Sequence, residues 1–218
     1  GESKDHWPTL GLNTLRWAKA QGAICGPAHS SIGLSRFVGR LPNTEGMDGP
    51  QSLPNFNIPA FDGIGANEFI VDVTHEVPGE DGTPVQAVDF ISTMNTDRIA
   101  EWNMWYHVLN CGFRVTASGE TDFPCITGER VGIGRVYAKV DGPLTFAKWV
   151  RSIAAGRSYV SDGTCHLLDF TATSNSSEKR VELGLNGSEL KLKKADSVAF
   201  TIEAAAKLDG PSEVNVEL

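Results

Sequence analysis

The chain has 218 residues, 40% of them hydrophobic, which is enough to bury one substantial core or one large and one small domain. Its 19 basic residues against 27 acidic leave a net charge of −8, and no Lys/Arg cluster is interleaved with aromatics. That balance excludes a phosphate-backbone binder, so no nucleic acid is expected as a partner. No apolar run is long enough to span a bilayer, so no membrane is expected either.

In chain order, Leu12, Leu15 and Trp17-Ala18 give the segment Asn13 to Gln21 an apolar helical face, with Gly22 as its C-cap. Ala23 to His29 reads as a short buried strand ending in a histidine. From Ser30 to Pro59 the pattern dissolves into Gly, Pro, Asn and Ser, longer than a compact domain leaves structureless, and a functional loop or lid is expected. Phe61 to Val73 resumes a strand, Glu76 to Pro84 is turn-rich, and Ala87 to Ser92 is another short element. Ile99 to Asn110 predicts a helix stopped by Cys111-Gly112. A strand after Arg114 then breaks into two carboxylates, Glu120 and Asp122.

Gly132 to Val140 predicts a strand, Thr145 to Gly156 an amphipathic helix with a glycine stop, and Arg157 to Ser161 a further element. To this point helices alternate with strands, an α/β pattern. Beyond His166 the alternation changes to period two, with Asn186-Gly187 as a hairpin signal. Residues 166–218 are therefore expected to form a small antiparallel β domain after an α/β domain over 1–165.

The chemistry is weighed against plain structure at each position. His29, at a strand's carboxyl end, suits a metal ligand or proton shuttle, or a hydrogen-bonded core histidine. Asp122 has the same choice on a firmer strand platform. Glu120 is a second ligand, a general base, or a solvated turn carboxylate. Glu68 stands among Phe69, Ile70 and Val71, where a buried acid needs a partner or a metal, though an edge strand would turn it to solvent. Asp72 and His75 share that ambiguity. His107 reads as packed among aromatics, His166 as an interdomain contact, His6 as terminal. Cys25, Cys111, Cys125 and Cys165 contain no Cys-x-x-Cys pair, which argues against a zinc ribbon or thioredoxin-type site. No nucleophile elbow, phosphate loop or dinucleotide fingerprint is present.

Several segments carry a resemblance: Asp5-His6-Trp7-Pro8, Gly26-Pro27-Ala28-His29-Ser30, Phe61-Asp62-Gly63-Ile64-Gly65-Ala66-Asn67-Glu68, Trp105-Tyr106-His107, Ser118-Gly119-Glu120-Thr121-Asp122 and Gly156-Arg157-Ser158-Tyr159-Val160-Ser161-Asp162-Gly163. Together they resemble bacterial metallohydrolases of the PHP superfamily, in the CehA/McbA branch named for carbaryl and carbofuran hydrolases. The likeness covers about residues 5–165 and leaves the β tail uncovered. It implies α/β architecture, a partial (β/α)7-type PHP barrel followed by a small antiparallel β appendage. It further implies a divalent metal cofactor (Zn, Mn or Fe) and hydrolysis of a phosphoester or a carbamate- or amide-type ester on a small-molecule substrate.

By position, the resemblance makes His29 and Asp122 metal ligands and Glu68 an acid near the substrate. Glu120 or Glu68 then serves as supporting ligand or base, and Arg130, Arg157 and Tyr159 as substrate anchors. The family's first-strand His-x-His pair and bridging glutamate have no counterpart here, and Asp122-Phe123-Pro124 stands where the family has Asp-x-His. The resemblance therefore implies a carboxyl-terminal portion of a longer protein, with the amino-terminal remainder as its partner. Two other functions fit the same residues. One is a non-catalytic binding or structural module with a vestigial metal site and a ligand- or partner-binding tail. The other is a carbohydrate-active enzyme with Glu120 and Asp122 as the acid/base pair.

Overall fold

The computed structural model describes residues 11–28, 72–94, 98–121, 131–176, 179–182 and 188–207. Helix α1 (Gly11–Lys19) is followed by a 3-10 turn, Asp72–Thr74. Strands β1 (Glu76–Pro78), β2 (Pro84–Gln86) and β3 (Phe90–Met94) come next. Helix α2 (Arg98–Asn110) leads to β4 (Thr116–Gly119), β5 (Arg135–Ala138), α3 (Phe146–Ala154) and β6 (Ser158–Ser161). Strands β7 (Cys165–Ser174), β8 (Arg180–Glu182) and β9 (Val198–Ala206) complete the described elements. No helix among the described residues is long and apolar enough to cross a membrane.

The three described helices end in the same way, as the sequence predicts at Gly22, Gly112 and Gly156. Each of these glycines has positive φ (75°, 92° and 71°), a region that side chains disfavour. Each donates its N–H three residues back, and the next residue donates five back: Gly22 to Lys19 and Ala23 to Ala18, Gly112 to Leu109 and Phe113 to Val108, Gly156 to Ile153 and Arg157 to Ser152. This Schellman pairing satisfies carbonyls that the last turn leaves open. At the other end of α3, Thr145 is the N-cap, its hydroxyl accepting from Lys148 N.

One apolar cluster gathers the first half of the described chain. Leu15 of α1, Val73, Val77 of β1, Ala87, Val88, Ile91 of β3, Met104 and Val108 of α2, and Val115 are all buried in it. On α2 the buried residues Glu101, Met104 and Val108 recur at helical spacing, while Tyr106 and Leu109 on the other side are exposed. The segment 23–28 follows β3 without forming a full strand. Asp89 N and Phe90 N donate to Cys25 O, and Ser92 N donates to Pro27 O, so the segment runs parallel to β3. β3 in turn pairs parallel with β4, with α2 as the crossover between them.

The expected partial (β/α)7 barrel is not formed. Beyond β4 the chain abandons parallel pairing: β5 and β6 pair antiparallel although α3 connects them, with Tyr137 opposite Tyr159. The described strands fall into four small sheets, β1-β2, β3-β4, β5-β6 and β8-β7-β9, of which only β3-β4 is parallel. A barrel needs successive parallel strands closing on the first. A helix between two strands is compatible with either pairing sense, and sequence alternation alone does not distinguish them. The turn-rich stretch after Glu76 is a β1–β2 hairpin, closed by Gly79 N to Thr83 O and by Asp81, which accepts from the Thr83 N–H and hydroxyl.

In the carboxyl-terminal sheet β7 is central, pairing with β8 on one side and β9 on the other. The segment after Glu189, expected as a strand, is irregular from 188 to 197. The Asn186-Gly187 turn and the period-two run from Glu213 to Leu218 lie outside the described residues. Asp196 ties the end of β7 to the start of β9, accepting from Ser174 Oγ at 2.6 Å, Ser176 Oγ at 2.7 Å and Ser176 N at 3.0 Å. These donors stabilise the carboxylate, the Ser174 hydroxyl foremost, and lower its pKa from 3.8 to about 2. A depressed acid contributes stability that is present above its unfolded pKa and lost as pH falls through the folded one. Stability is therefore expected to be level with respect to this group above about pH 4 and to decline from there toward pH 2. In Asp196→Asn that part of the acid limb should flatten in a pH series of urea melts. An unaltered slope between wild type and variant would refute the assignment.

Candidate functional site at the carboxyl ends of the parallel segments

Three parallel segments, 25–27, β3 and β4, end at the same edge. Glu120 follows β4 directly and remains in the ladder, its N–H donating to Met94 O at 3.3 Å. Its side chain accepts from Ser118 Oγ at 3.1 Å, a bond that fixes Oε2 on the face of β4 that carries Ser118. Ser92 is the register partner of Ser118 on β3; it is fully buried and its hydroxyl has no hydrogen-bond partner. The next turn seats firmly over this edge. Gly132 N donates to Thr121 Oγ1 at 3.0 Å, and Thr121 Oγ1 donates to Gly134 O. A Cβ on Gly134 would lie 2.2 Å from both Glu120 O and Met94 O, so only glycine fits against the strand ends.

The site residues named from sequence divide between described and undescribed positions. Glu120 stands at the strand-end edge as expected. His29, Asp122, Glu68 and Arg130 lie outside the described residues, as do Cys125 and the whole loop expected over 30–59. His107 lies in α2, its side chain outside the described set. His75 is exposed, beside the Thr74 hydroxyl. Glu101, which the sequence reading passed over, is fully buried in the first turn of α2, just beyond the end of β3. An acid in a helix's first turn is its one sequence-level signal, and the favourable helix dipole there is a structural use for it.

Arg157 and Tyr159 do not converge on Glu120. Gly156 packs against Thr116, at the amino end of β4, whereas Gly119 packs against Arg135, the register partner of Ser161. β6 therefore runs alongside β4 in the same sense, and Arg157 sits at its amino end. Arg157 is buried and ion-paired with exposed Asp141, Nη2 to Oδ2 at 2.9 Å. Tyr159 stacks on Tyr137 with ring centroids 5.1 Å apart, and its hydroxyl lies 3.2 Å from His166 Nδ1. Burial, foremost, raises the Tyr159 pKa, so the phenol stays protonated.

His166, on β7, thus contacts both tyrosines of the β5–β6 pair.

Two clefts flank β6. One, about 430 Å³, is walled by Trp102, Trp105 and Tyr106 of α2 and by Thr116, Ser158 and Tyr159. The other, about 740 Å³, lies between the β5–β6 pair and β7. Buried Cys25 has its pKa raised to about 11, chiefly by desolvation, which leaves an inert thiol rather than a nucleophile.

Among the described residues no three His, Cys, Asp or Glu side chains stand together as a metal site. Of the expected donor set only Glu120 is described. One imidazole and two carboxylates are chemically suited to Zn, Mn or Fe, and the fit rests on that donor chemistry. In comparisons with known proteins the chain matches no family model, no curated protein and no solved structure.

Proposed function

We propose that the chain carries part of a metal-dependent hydrolase site, at the shared carboxyl edge of segment 25–27, β3 and β4. The substrate would be a small phosphoester or a carbamate- or amide-type ester, as the PHP-like motifs imply. His29 and Asp122 would hold the metal, with Glu120 or Glu68 as supporting ligand or base. A bound divalent ion would supply Lewis-acid polarisation of the scissile bond and an acidified water.

The observation that supports this reading is the common polarity of the three segments. Pro27 O is bonded by Ser92 N, and Met94 O by Glu120 N, so the chain leaves all three at one edge. His29 follows Ala28 and Asp122 follows Thr121 in the sequence; both lie outside the described residues. Ser118, donating to Glu120, would orient that carboxylate toward a ligand or a substrate proton.

Elemental analysis after loading with Zn, Mn or Fe tests the reading. Wild type is expected to retain metal through desalting, while His29→Ala and Asp122→Ala should each lose about 10-fold or more in affinity, in keeping with loss of a ligand or its support. Equal metal-to-protein ratios in wild type and both variants, or no retention by wild type, would count against the proposal.

A further inference from the structure

We propose that the groove between the β5–β6 pair and β7 binds a small ring-bearing organic anion, its carboxylate or phosphate held by Arg157 and Lys139. This site does not depend on the metal reading, because Arg157 lies at the opposite end of β6 from the Glu120 edge. The groove, about 740 Å³, is of ligand-binding size. Its wall combines Tyr137, Tyr159, Leu168 and Phe170 with Arg157 and Lys139. The two cations are neighbours across the sheet, since Lys139 N donates to Arg157 O at 2.8 Å.

The charge balance of the groove favours an anion. Arg157 has a side chain only 9% exposed, yet its partner Asp141 is 77% exposed. Lys139 pairs with Glu182 at 2.8 Å, and both are about half exposed. The Lys139 ammonium lowers the Glu182 pKa, so this partner is a carboxylate at neutral pH. Both carboxylates are open to solvent, which screens them, so a ligand anion seated in the groove competes with them for the two cations. The groove's own acid, Asp169, is turned away from that role. It accepts from Phe170 N at 2.9 Å and faces Arg180 at 3.9 Å. Guanidinium offers a bidentate fork to carboxylate or phosphate, and the flanking tyrosines and Phe170 offer an apolar seat for a ring.

Isothermal titration calorimetry on the full chain, with phenyl phosphate, benzoate, inorganic phosphate and phenol as probes, tests the site. Phenyl phosphate or benzoate is expected to bind at one site, more tightly than inorganic phosphate or phenol; which of the two is preferred identifies the anion. Lys139→Gln, at a half-exposed position, should weaken that binding about 10-fold through loss of a charged hydrogen bond. Asp141→Asn removes one competing carboxylate and should tighten it by up to about 5-fold. Binding of neither anion, equal binding of phenol, or weakened binding in Asp141→Asn would overturn the proposal. Retained affinity in Lys139→Gln would overturn it as well.

Discussion

Asp89→Ala is expected to destabilise the fold by about 3–5 kcal/mol, the cost of removing one partner from a buried ion pair. Lys19 Nζ lies 2.7 Å from both Asp89 oxygens, and Lys19 is 8% exposed. Asp89 Oδ2 also accepts from Cys25 N at 2.7 Å. The one carboxylate therefore joins the end of α1 and the 25–27 segment, 70 and 64 residues earlier in sequence, to the start of β3. Alanine would leave an ammonium in low dielectric and a backbone donor without its acceptor. Against a typical domain stability of about 5–15 kcal/mol, that is about a fifth or more of the total. Guanidinium melts read the loss. Lys19→Met with Asp89→Asn should recover much of it, since the charge is gone and an acceptor for Cys25 remains. A loss below about 1 kcal/mol in Asp89→Ala would show that the pair is solvated rather than buried.

Gly134→Ala is expected to disrupt the candidate site strongly. The added methyl would meet two backbone carbonyls, Glu120 O and Met94 O, at 2.2 Å. Carbonyls held in a parallel ladder do not rotate away as a side-chain tip would, so the turn must lift or the strand ends must part. Overpacking of this kind costs about 1–3 kcal/mol, and more where backbone must move. Under the proposed function, metal retention should fall together with stability. Gly82→Ala is a control of the opposite kind: its φ of 81° strains any added side chain, a strain absent at Gly134, and nothing lies within 4 Å of the added carbon. If both variants melt alike and both retain metal, the close seating of Gly134 has no bearing on the site.

The two substitutions mark how far residue pattern reaches. Helix limits were legible because their causes are local: apolar spacing along α1 and α2, Thr145 ahead of α3, and a glycine after each last turn. Glu120 at a strand end was legible for the same reason, since strand, break and acid are contiguous. The β1–β2 hairpin was read only as turns, because its strands have three residues each and carry a proline apiece. Arg157 and Tyr159 were read as substrate anchors on motif alone. Their place at the amino end and middle of β6 depends on Gly156 meeting Thr116, a contact 40 residues apart in sequence.

The sequence by itself determined the three described helices with their glycine stops, the β3–α2–β4 order and the strands β7, β8 and β9 within the period-two tail. It also determined a carboxylate at the end of β4. Each follows from interactions within a few residues, where propensity and capping act. Only the tertiary structure decided that β5 and β6 pair antiparallel across α3, which removes the barrel. It alone placed Arg157 and Lys139 in a groove against β7 and drew Lys19 to Asp89. Those outcomes depend on which surfaces exclude water together and which charges meet when they do, and neither is encoded at any single position.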